Sequence, residues 1–314
     1  MRKIFLTISF LSATLMVFAQ QDPQFSHYFF NHLYLNPGAA GSENVTRFQG
    51  IYRMQYVGYT GTFDDGGAPV SQVFSANVPL KQIRSGVGVY FMNDRIGVST
   101  NQDLQLSYAY HLPIGGSQLA IGVRGGLYSR GIDYSRLRAR DDNDPVLATG
   151  NVRQSQLDLG AGVYLYNPGF TLGVSMAHIN EPKFGLGSQN GQNPLKRAAY
   201  LTGSMLVGLS YTLDLTPMFV VKSDLSTISA EAGAIATYDN RFYFGGSYRW
   251  DDAATAMIGA NLLNNSLRLG YAFDLVITGS AAKSATSHEI MASYTIQPFR
   301  AGKKSIIRTP RYRY

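Results

Sequence analysis

Apolar residues alternate with polar or small residues through most of this chain. Leu104, Leu106 and Tyr108, for example, are separated by Gln105 and Ser107. Successive residues of a β-strand point to opposite faces, so each such segment has one apolar face and one polar or small face. A chain dominated by this pattern folds into β-sheet, and no helix-period segment interrupts it.

We predict fourteen such strands, most of them about 9–13 residues long, which is enough for a tilted strand to cross a bilayer. When the connections between strands are numbered from the N-terminus, every even-numbered connection is short and every long connection is odd-numbered. Outer-membrane barrels show this asymmetry between short periplasmic turns and longer external loops. The predicted strands are 45–58, 69–80, 85–93, 102–112, 118–130, 155–167, 169–180, 197–213, 216–224, 227–238, 241–250, 253–263, 266–278 and 287–296.

The predicted fold is all-β: a transmembrane antiparallel up-and-down β-barrel of outer-membrane type over residues 45–296. The alternative is a soluble β-sandwich or lipocalin-like barrel, whose apolar faces would point inward. That alternative predicts fewer strands than fourteen. An even strand count returns both termini to the same side, which we expect to be the periplasm.

Composition excludes several classes of protein. The 314 residues include no cysteine, which excludes a disulfide scaffold and a Cys-ligated metal site. Residues 1–19 predict a secretory signal peptide, with a positive start at Met1–Lys3, an apolar stretch at Ile4–Phe18 and cleavage after Ala19. The chain is therefore expected to leave the cytoplasm.

The net charge of +7 comes mostly from the two ends of the chain. Residues 297–314 form a basic tail without an acid, predicted to be periplasmic, whereas the barrel region is close to neutral. A basic tail on a neutral barrel does not indicate a nucleic-acid partner. The tail is either a docking element for an acidic partner or a disordered end.

The strand phasing predicts twelve charged side chains that point into the lumen, six of each sign. Because an unpaired buried charge is costly, we expect these charges to pair and to leave the lumen largely closed. A selective pore would carry one sign of charge. The twelve residues are Arg47, Arg53, Asp103, Arg124, Asp158, Lys222, Asp224, Glu231, Arg249, Arg268, Asp274 and Glu289.

No pattern predicts an enzyme, a cofactor or a metal site. Ser175 and His178 are separated by an odd number of positions, so we expect them on opposite faces of the wall, where they cannot form a nucleophile–base pair. His27 and His32 lack a third ligand nearby. The longest connection, Gly131–Gln154, is a candidate for calcium binding or for contact with an exported protein, but its acidic run lacks the glycine and distal glutamate of a calcium loop. The glycine-rich connection Glu181–Lys196 is the second candidate contact surface.

Two motifs follow the predicted cleavage site. Gln21–Asn31 reads QDPQFSHYFFN, and Leu35–Ser42 reads LNPGAAGS. Together they resemble the start of the PorP/SprF family of the Bacteroidota type IX secretion system, and weaker matches continue to the C-terminus. The chain departs from the family at Gly38–Ala39, where the family prefers Ala-Tyr.

The resemblance implies an outer-membrane barrel that assists type IX secretion by the export or surface attachment of large adhesins, including gliding-motility adhesins. Implied partners are other secretion components in the periplasm, the secreted adhesin or its C-terminal signal domain, and outer-membrane lipid. The alternative is a passive or small-molecule outer-membrane porin or transporter. Residues 20–44 are predicted to be a periplasmic N-terminal lead, which either docks a partner or enters the lumen as a plug, or is an ordered lead that caps the periplasmic mouth of the barrel. The candidate partner-binding residues are Asp22, Pro23, Phe25, Tyr28, Asn31, Asn36, Pro37, Arg308, Arg311 and Arg313.

Overall fold

The structure is a computed structural model that describes residues 22–59, 67–136, 150–186, 192–224, 227–278 and 284–296. Predictions for the signal peptide and for the basic tail, including Arg308, Arg311 and Arg313, lie outside these residues. Within the described residues, no helix combines the length and apolar character that a membrane crossing requires.

Fourteen full-length antiparallel strands form the sheet, as predicted. They are β1 (Thr46–Met54), β2 (Val70–Leu80), β3 (Ser85–Ile96), β4 (Ser99–Ile114), β5 (Ser117–Asp133), β6 (Asn151–Tyr166), β7 (Phe170–Ala177), β8 (Ala198–Met205), β9 (Leu213–Ser223), β10 (Ile228–Tyr238), β11 (Phe242–Arg249), β12 (Ala253–Leu262), β13 (Leu267–Val276) and β14 (Thr286–Ile296). The shorter elements are the strand segments Lys183–Phe184, Asn193–Pro194 and Val207–Gly208, the four-residue α-helix α1 (His32–Leu35), and the 3₁₀ turns Tyr28–Phe30, Pro37–Ala39, Lys81–Ile83 and Tyr134–Arg136.

Each strand pairs with its neighbours in sequence, and the sheet closes on itself. β1 pairs with β14 in antiparallel register, with Thr46 opposite Ile296 and Met54 opposite His288. β8 likewise pairs with β9 beyond the short segment Val207–Gly208. Closure removes the free sheet edges that a membrane would not tolerate.

The two ends of the barrel differ. The loop end carries the odd-numbered connections, of which 55–69, 134–150, 178–197 and 277–285 are long; the turn end carries the even-numbered ones. The predicted long third connection is wrong: β3 and β4 continue until only Gly97 and Val98 separate them. Polar residues end the apolar pattern there, but backbone pairing continues because it does not require apolar side chains.

The apolar faces of the strands point outward and form an exposed belt. Phe74, Leu106, Val123, Val174 and Ile258 are all more than half exposed. The opposite faces point into the lumen, where the buried core lies. This is the arrangement of an outer-membrane barrel and the reverse of a soluble one.

Candidate functional site

The N-terminal segment before β1 fills the barrel lumen; we call residues 22–42 the plug. The plug begins at the loop end, where Asp22 meets His178 just after β7. It ends at the turn end, where Gly41 lies against Gly86 on β3. The first and last strands of the barrel meet at the turn end, where Thr46 lies opposite Ile296, as the even strand count requires. The plug, which precedes Thr46, runs through the lumen from the loop end to the turn end.

Glycines on the inner face of the wall make room for the plug. A Cβ atom added at Gly122 would lie 2.4 Å from the Gly38 backbone nitrogen. At Gly86 it would lie 2.2 Å from the carbonyl oxygen of Ala40. No side chain fits at such distances, so these wall positions are matched to the backbone path of the plug.

A buried charge cluster holds the plug near the loop end. Arg53 Nη2 lies 2.6 Å from Asp274 Oδ2, and Arg53 Nη1 lies 3.1 Å from Glu289 Oε2. The plug completes the cluster, since the backbone nitrogens of Ser26 and His27 each donate to Glu289 at 2.7 Å. Ser26 Oγ accepts from Arg53 at 2.7 Å and donates to Asp274 at 2.8 Å. Plug and wall therefore share one ion network.

A second cluster holds the first residue of the plug. His178 contacts Asp158 through Nδ1 at 2.9 Å and Asp22 through Nε2 at 3.2 Å. Tyr200 donates to Asp22 at 2.8 Å, and Lys222 Nζ donates to the Asp22 carbonyl at 3.0 Å. Burial disfavours the charged forms, but the facing charges outweigh it. His178 and Lys222 hold the pKa of Asp22 below its usual range, and Asp22 and Asp158 raise the pKa of His178 to about 9.

The expectation that Ser175 and His178 lie on opposite sides of the wall is wrong. Both side chains are buried inside, because β7 ends at Ala177 and His178 takes a positive φ of 55° that breaks the alternation. Ser175 Oγ donates to the Leu35 carbonyl at 2.6 Å, while both His178 ring nitrogens face carboxylates. The two side chains thus anchor the plug separately.

The wall also holds the middle of the plug. Arg124 Nη1 donates to the Tyr34 carbonyl at 2.8 Å, and its guanidinium lies 5.6 Å from the Tyr90 ring centre. Asp103 accepts from Tyr90 at 2.7 Å and from Gln105 at 2.8 Å. Gln105 is not among the predicted lumen residues, which are all charged, but the strand alternation places its side chain on the inner face beside Asp103.

The remaining predicted lumen charges lie on the inner face or at its rims. Glu231 accepts from Arg249 at 2.9 Å, and Arg47 pairs with Glu43 at 2.8 Å near the turn end. Arg268 lies 4.6 Å from the Phe30 ring centre. Asp224 follows β9 at the loop end, where its Oδ1 accepts from Thr227 at 2.7 Å.

The candidate partner-binding residues of the N-terminal segment contact the barrel rather than solvent. Pro23 is half-buried, and the other six are buried between plug and wall. The binding of a partner by these residues stays a prediction, and in this conformation the segment that carries them fills the lumen. The six buried residues are Asp22, Phe25, Tyr28, Asn31, Asn36 and Pro37.

Hydrogen bonds to backbone atoms hold the plug at the turn end. Asn36 Nδ2 donates to the carbonyls of Val163 and Val174, at 2.9 and 3.3 Å. His111 Nε2 lies 2.8 Å from the Ala40 carbonyl. His111 shares the inward phase of Gln105 on β4, so the strand alternation places it in the lumen but does not identify its partner.

The described parts of the connection between β7 and β8, residues 178–186 and 192–197, cover the loop end. Phe184, Leu186 and Leu195 are buried, and the Phe184 and Tyr128 ring centres lie 5.9 Å apart. Tyr134 donates to the Leu186 carbonyl at 2.5 Å. The described part of this candidate surface therefore folds inward as a lid, while its residues 187–191 and the whole acidic run at 141–144 lie outside the described residues.

The turn end is more open. A cavity of about 590 Å³ lies there between plug and wall, and Arg47, Arg268, His32, Tyr164 and Phe29 are among its lining residues. Within the described chain, no group of three His, Cys, Asp or Glu side chains could hold a metal ion.

Comparison with known families identifies the class. The family model described as type IX secretion system membrane protein PorP/SprF matches residues 17–294, so the chain belongs to this family. Its fold is that of an outer-membrane β-barrel. No curated protein matches the chain.

Three solved structures illustrate the barrel likeness. A Pseudomonas aeruginosa FadL homologue is 13% identical, with 88% of this chain and 95% of that chain covered and a TM-score of 0.47. The CymD monoaromatic hydrocarbon channel is 12% identical, with coverage of 85% and 93% and a TM-score of 0.49. Omp33 of Acinetobacter baumannii is 8% identical, with coverage of 80% and 98% and a TM-score of 0.47.

Proposed function

We propose that this protein is a non-enzymatic scaffold of type IX secretion in the outer membrane, which assists the export or surface attachment of large adhesins, including gliding-motility adhesins. The observation that supports this is the plug, which fills the lumen and shares buried ion clusters with the wall. A passive porin needs an open lumen. A barrel closed in this way is suited to holding partners at a fixed place in the membrane.

We place the turn end in the periplasm. Short turns face the periplasm in outer-membrane barrels, and the long connections then face outside. The last described residue, Ile296, lies at the turn end opposite Thr46, so the basic tail 297–314 starts there. The open cavity lies at the same end. Periplasmic secretion components would thus meet the tail and the cavity, while the exported protein would meet the lid and the long connections.

The test is affinity purification from native outer membranes, with a tag inserted in 137–149, away from the described contacts. We expect near-stoichiometric recovery of secretion-system components or a large adhesin. Deletion of 297–314 should leave the barrel folded and reduce that recovery. A partner-free barrel would contradict the scaffold.

Planar-bilayer recording separates the scaffold from the porin. We expect negligible steady conductance from the intact protein and large conductance after deletion of residues 22–41, which removes most of the plug. Steady conductance of the intact protein, equal to that of the deletion variant, would favour the porin.

A further inference from the structure

One part of the wall is much taller than the rest. β4, β5 and β6 have 16, 17 and 16 residues, whereas β7, β8 and β11 have 8 each. A transmembrane strand needs about 9–11 residues. β3–β6, which we call the tall wall, therefore continue past the membrane, and the surplus includes the loop-end residues that the apolar pattern did not predict as strand.

The outward face of the tall wall changes character sharply toward the loop end. The register aligns its side chains in levels that cross all four strands. An apolar level, 38% to 56% exposed, consists of Phe91, Leu104, Leu127 and Leu157. The next level is polar and consists of Asn93, Gln102, Ser129 and Ser155. The level beyond consists of Arg95, Thr100, Gly131 and Arg153. The apolar belt ends between the first two levels, which puts the other two at headgroup depth.

The two outer levels are joined by side-chain contacts. Gln102 Nε2 donates to Asn93 Oδ1 at 3.0 Å, and Arg153 Nη1 donates to Gln102 Oε1. Arg153 passes over Gly131, and its Nε lies 3.4 Å from the position that a Cβ atom would take there. Arg153 thus crosses β5 and approaches the strands that carry Arg95.

Both guanidinium groups of this level are available to a ligand. Arg95 and Arg153 are exposed, and within the described residues neither forms an ion pair with a carboxylate. The acid on the same face, Asp133, has an oxygen that accepts from the backbone and hydroxyl of Ser135, at 3.2 and 2.5 Å. Two arginines against this one aspartate leave the described outward residues at this end with a net charge of +1.

The opposite part of the wall ends differently. There the outward face at the loop end carries Tyr248, Trp250 and Ile277, which are 44%, 69% and 50% exposed. Aromatic residues at this level form the usual interfacial girdle. The cationic level is thus a local feature of the tall wall.

We propose that Arg95 and Arg153, with Gln102 and Asn93, bind the phosphate of an anionic glycolipid headgroup in the outer leaflet. Guanidinium groups recognise phosphate through paired hydrogen bonds. The amide side chains add donors, and the apolar level beneath receives the acyl chains. The inference rests on the placement of the loop end outside and is independent of adhesin export.

The test uses the full chain in micelles of a non-ionic detergent, titrated with lipid A and followed by native mass spectrometry. The double variant R95Q/R153Q should weaken lipid A binding about twenty-five-fold, from roughly fivefold for each arginine. The matched control K81Q/R84Q removes the same charge at the turn end of β2–β3 and should bind lipid A as the unaltered protein does. Dephosphorylated lipid A should bind as weakly to the unaltered protein as lipid A does to R95Q/R153Q.

Three results would overturn the assignment. Equal lipid A binding by R95Q/R153Q and the unaltered protein would show that these arginines do not hold the headgroup. Undiminished binding of dephosphorylated lipid A would show that phosphate is not the recognised group. A preference for phosphatidylglycerol over lipid A would assign the level to the inner leaflet. The first two results leave the scaffold function untouched, because partner recovery is measured separately, whereas the third would reverse the proposed placement of the two ends of the barrel.

Discussion

The two ends of the plug are held by different kinds of contact. At the loop end, carboxylates and cations meet in buried clusters around Arg53 and His178. At the turn end, Asn36 and His111 bond to backbone carbonyls, and wall glycines such as Gly122 admit the plug backbone. The loop end therefore depends on charge balance, and the turn end depends on shape.

This difference predicts different responses to change. Buried ion clusters are sensitive to removal of one partner and to pH, since both leave an uncompensated charge. Contacts to backbone atoms and close packing respond instead to side-chain volume and to lost donors. The four predictions below separate the two kinds of contact, from the largest expected effect to the smallest.

Removing the central cation of the loop end should have the largest effect. Arg53→Met leaves Asp274 and Glu289 buried without their guanidinium, which should lower the free energy of unfolding by about 3–5 kcal/mol. Urea unfolding of the refolded barrel measures this. Arg47→Met is the control, because the Arg47–Glu43 pair is about 20% exposed and should contribute at most about 1 kcal/mol. Equal losses in the two variants would contradict the charge-based account.

The loop end should also weaken in alkali. The folded pKa of His178, about 9, lies above its usual 6.5, so its contribution is complete below pH 6.5 and is lost as the pH rises through 9. The loss should reach roughly 3 kcal/mol. The depressed pKa of Asp22 affects only acid conditions, where its contribution is lost as the pH falls below about 4. Unfolding measured from pH 6 to 10 should show the alkaline decline in the unaltered protein but not in His178→Gln.

A larger side chain on the inner face of the wall should displace the plug at the turn end. Gly122→Val places atoms where the Gly38 nitrogen and Pro37 carbonyl lie, at 2.4 and 2.6 Å from the new Cβ, and should cost about 1–3 kcal/mol. Because the chain has no cysteine, Ala39→Cys provides a single thiol. Its maleimide labelling should be slow alone and fast with Gly122→Val.

Gly116→Ala is the matched control for this experiment, since a Cβ atom at Gly116 meets no atom within 4 Å. It should change neither stability nor labelling. Unchanged labelling in Gly122→Val would show that the plug accommodates the added volume without moving.

Loss of one polar anchor at the turn end should have the smallest effect. Asn36→Ala removes the donor to the Val163 and Val174 carbonyls and the acceptor for the Gly38 nitrogen, which should cost about 1–2 kcal/mol. Urea unfolding at pH 7 and pH 10 should show the same loss at both values, unlike the His178 contact. A pH-dependent loss would connect this anchor to the charge clusters.

The strand pattern alone determined the barrel. Side-chain direction alternates with a period of two because of backbone geometry, so residues such as Asp274 and Glu289 can be placed on the inner face from their positions in the sequence. The outward apolar face follows from the same alternation. The length of β3 and β4 could not be read in this way, since their ends carry no apolar signal.

The contents of the lumen were decided only by the tertiary structure. Ser26 and Glu289 are 263 positions apart, and Asp22 and His178 are 156 apart. Periodicity is local and does not relate such distant segments, so it does not distinguish a docking element or plug from an ordered lead that caps the mouth of the barrel. His178 points inward because a positive φ interrupts the alternation after β7, and inside the lumen its ring nitrogens meet Asp158 and Asp22. The sequence therefore specified the wall through local geometry, whereas long-range packing decided what fills it.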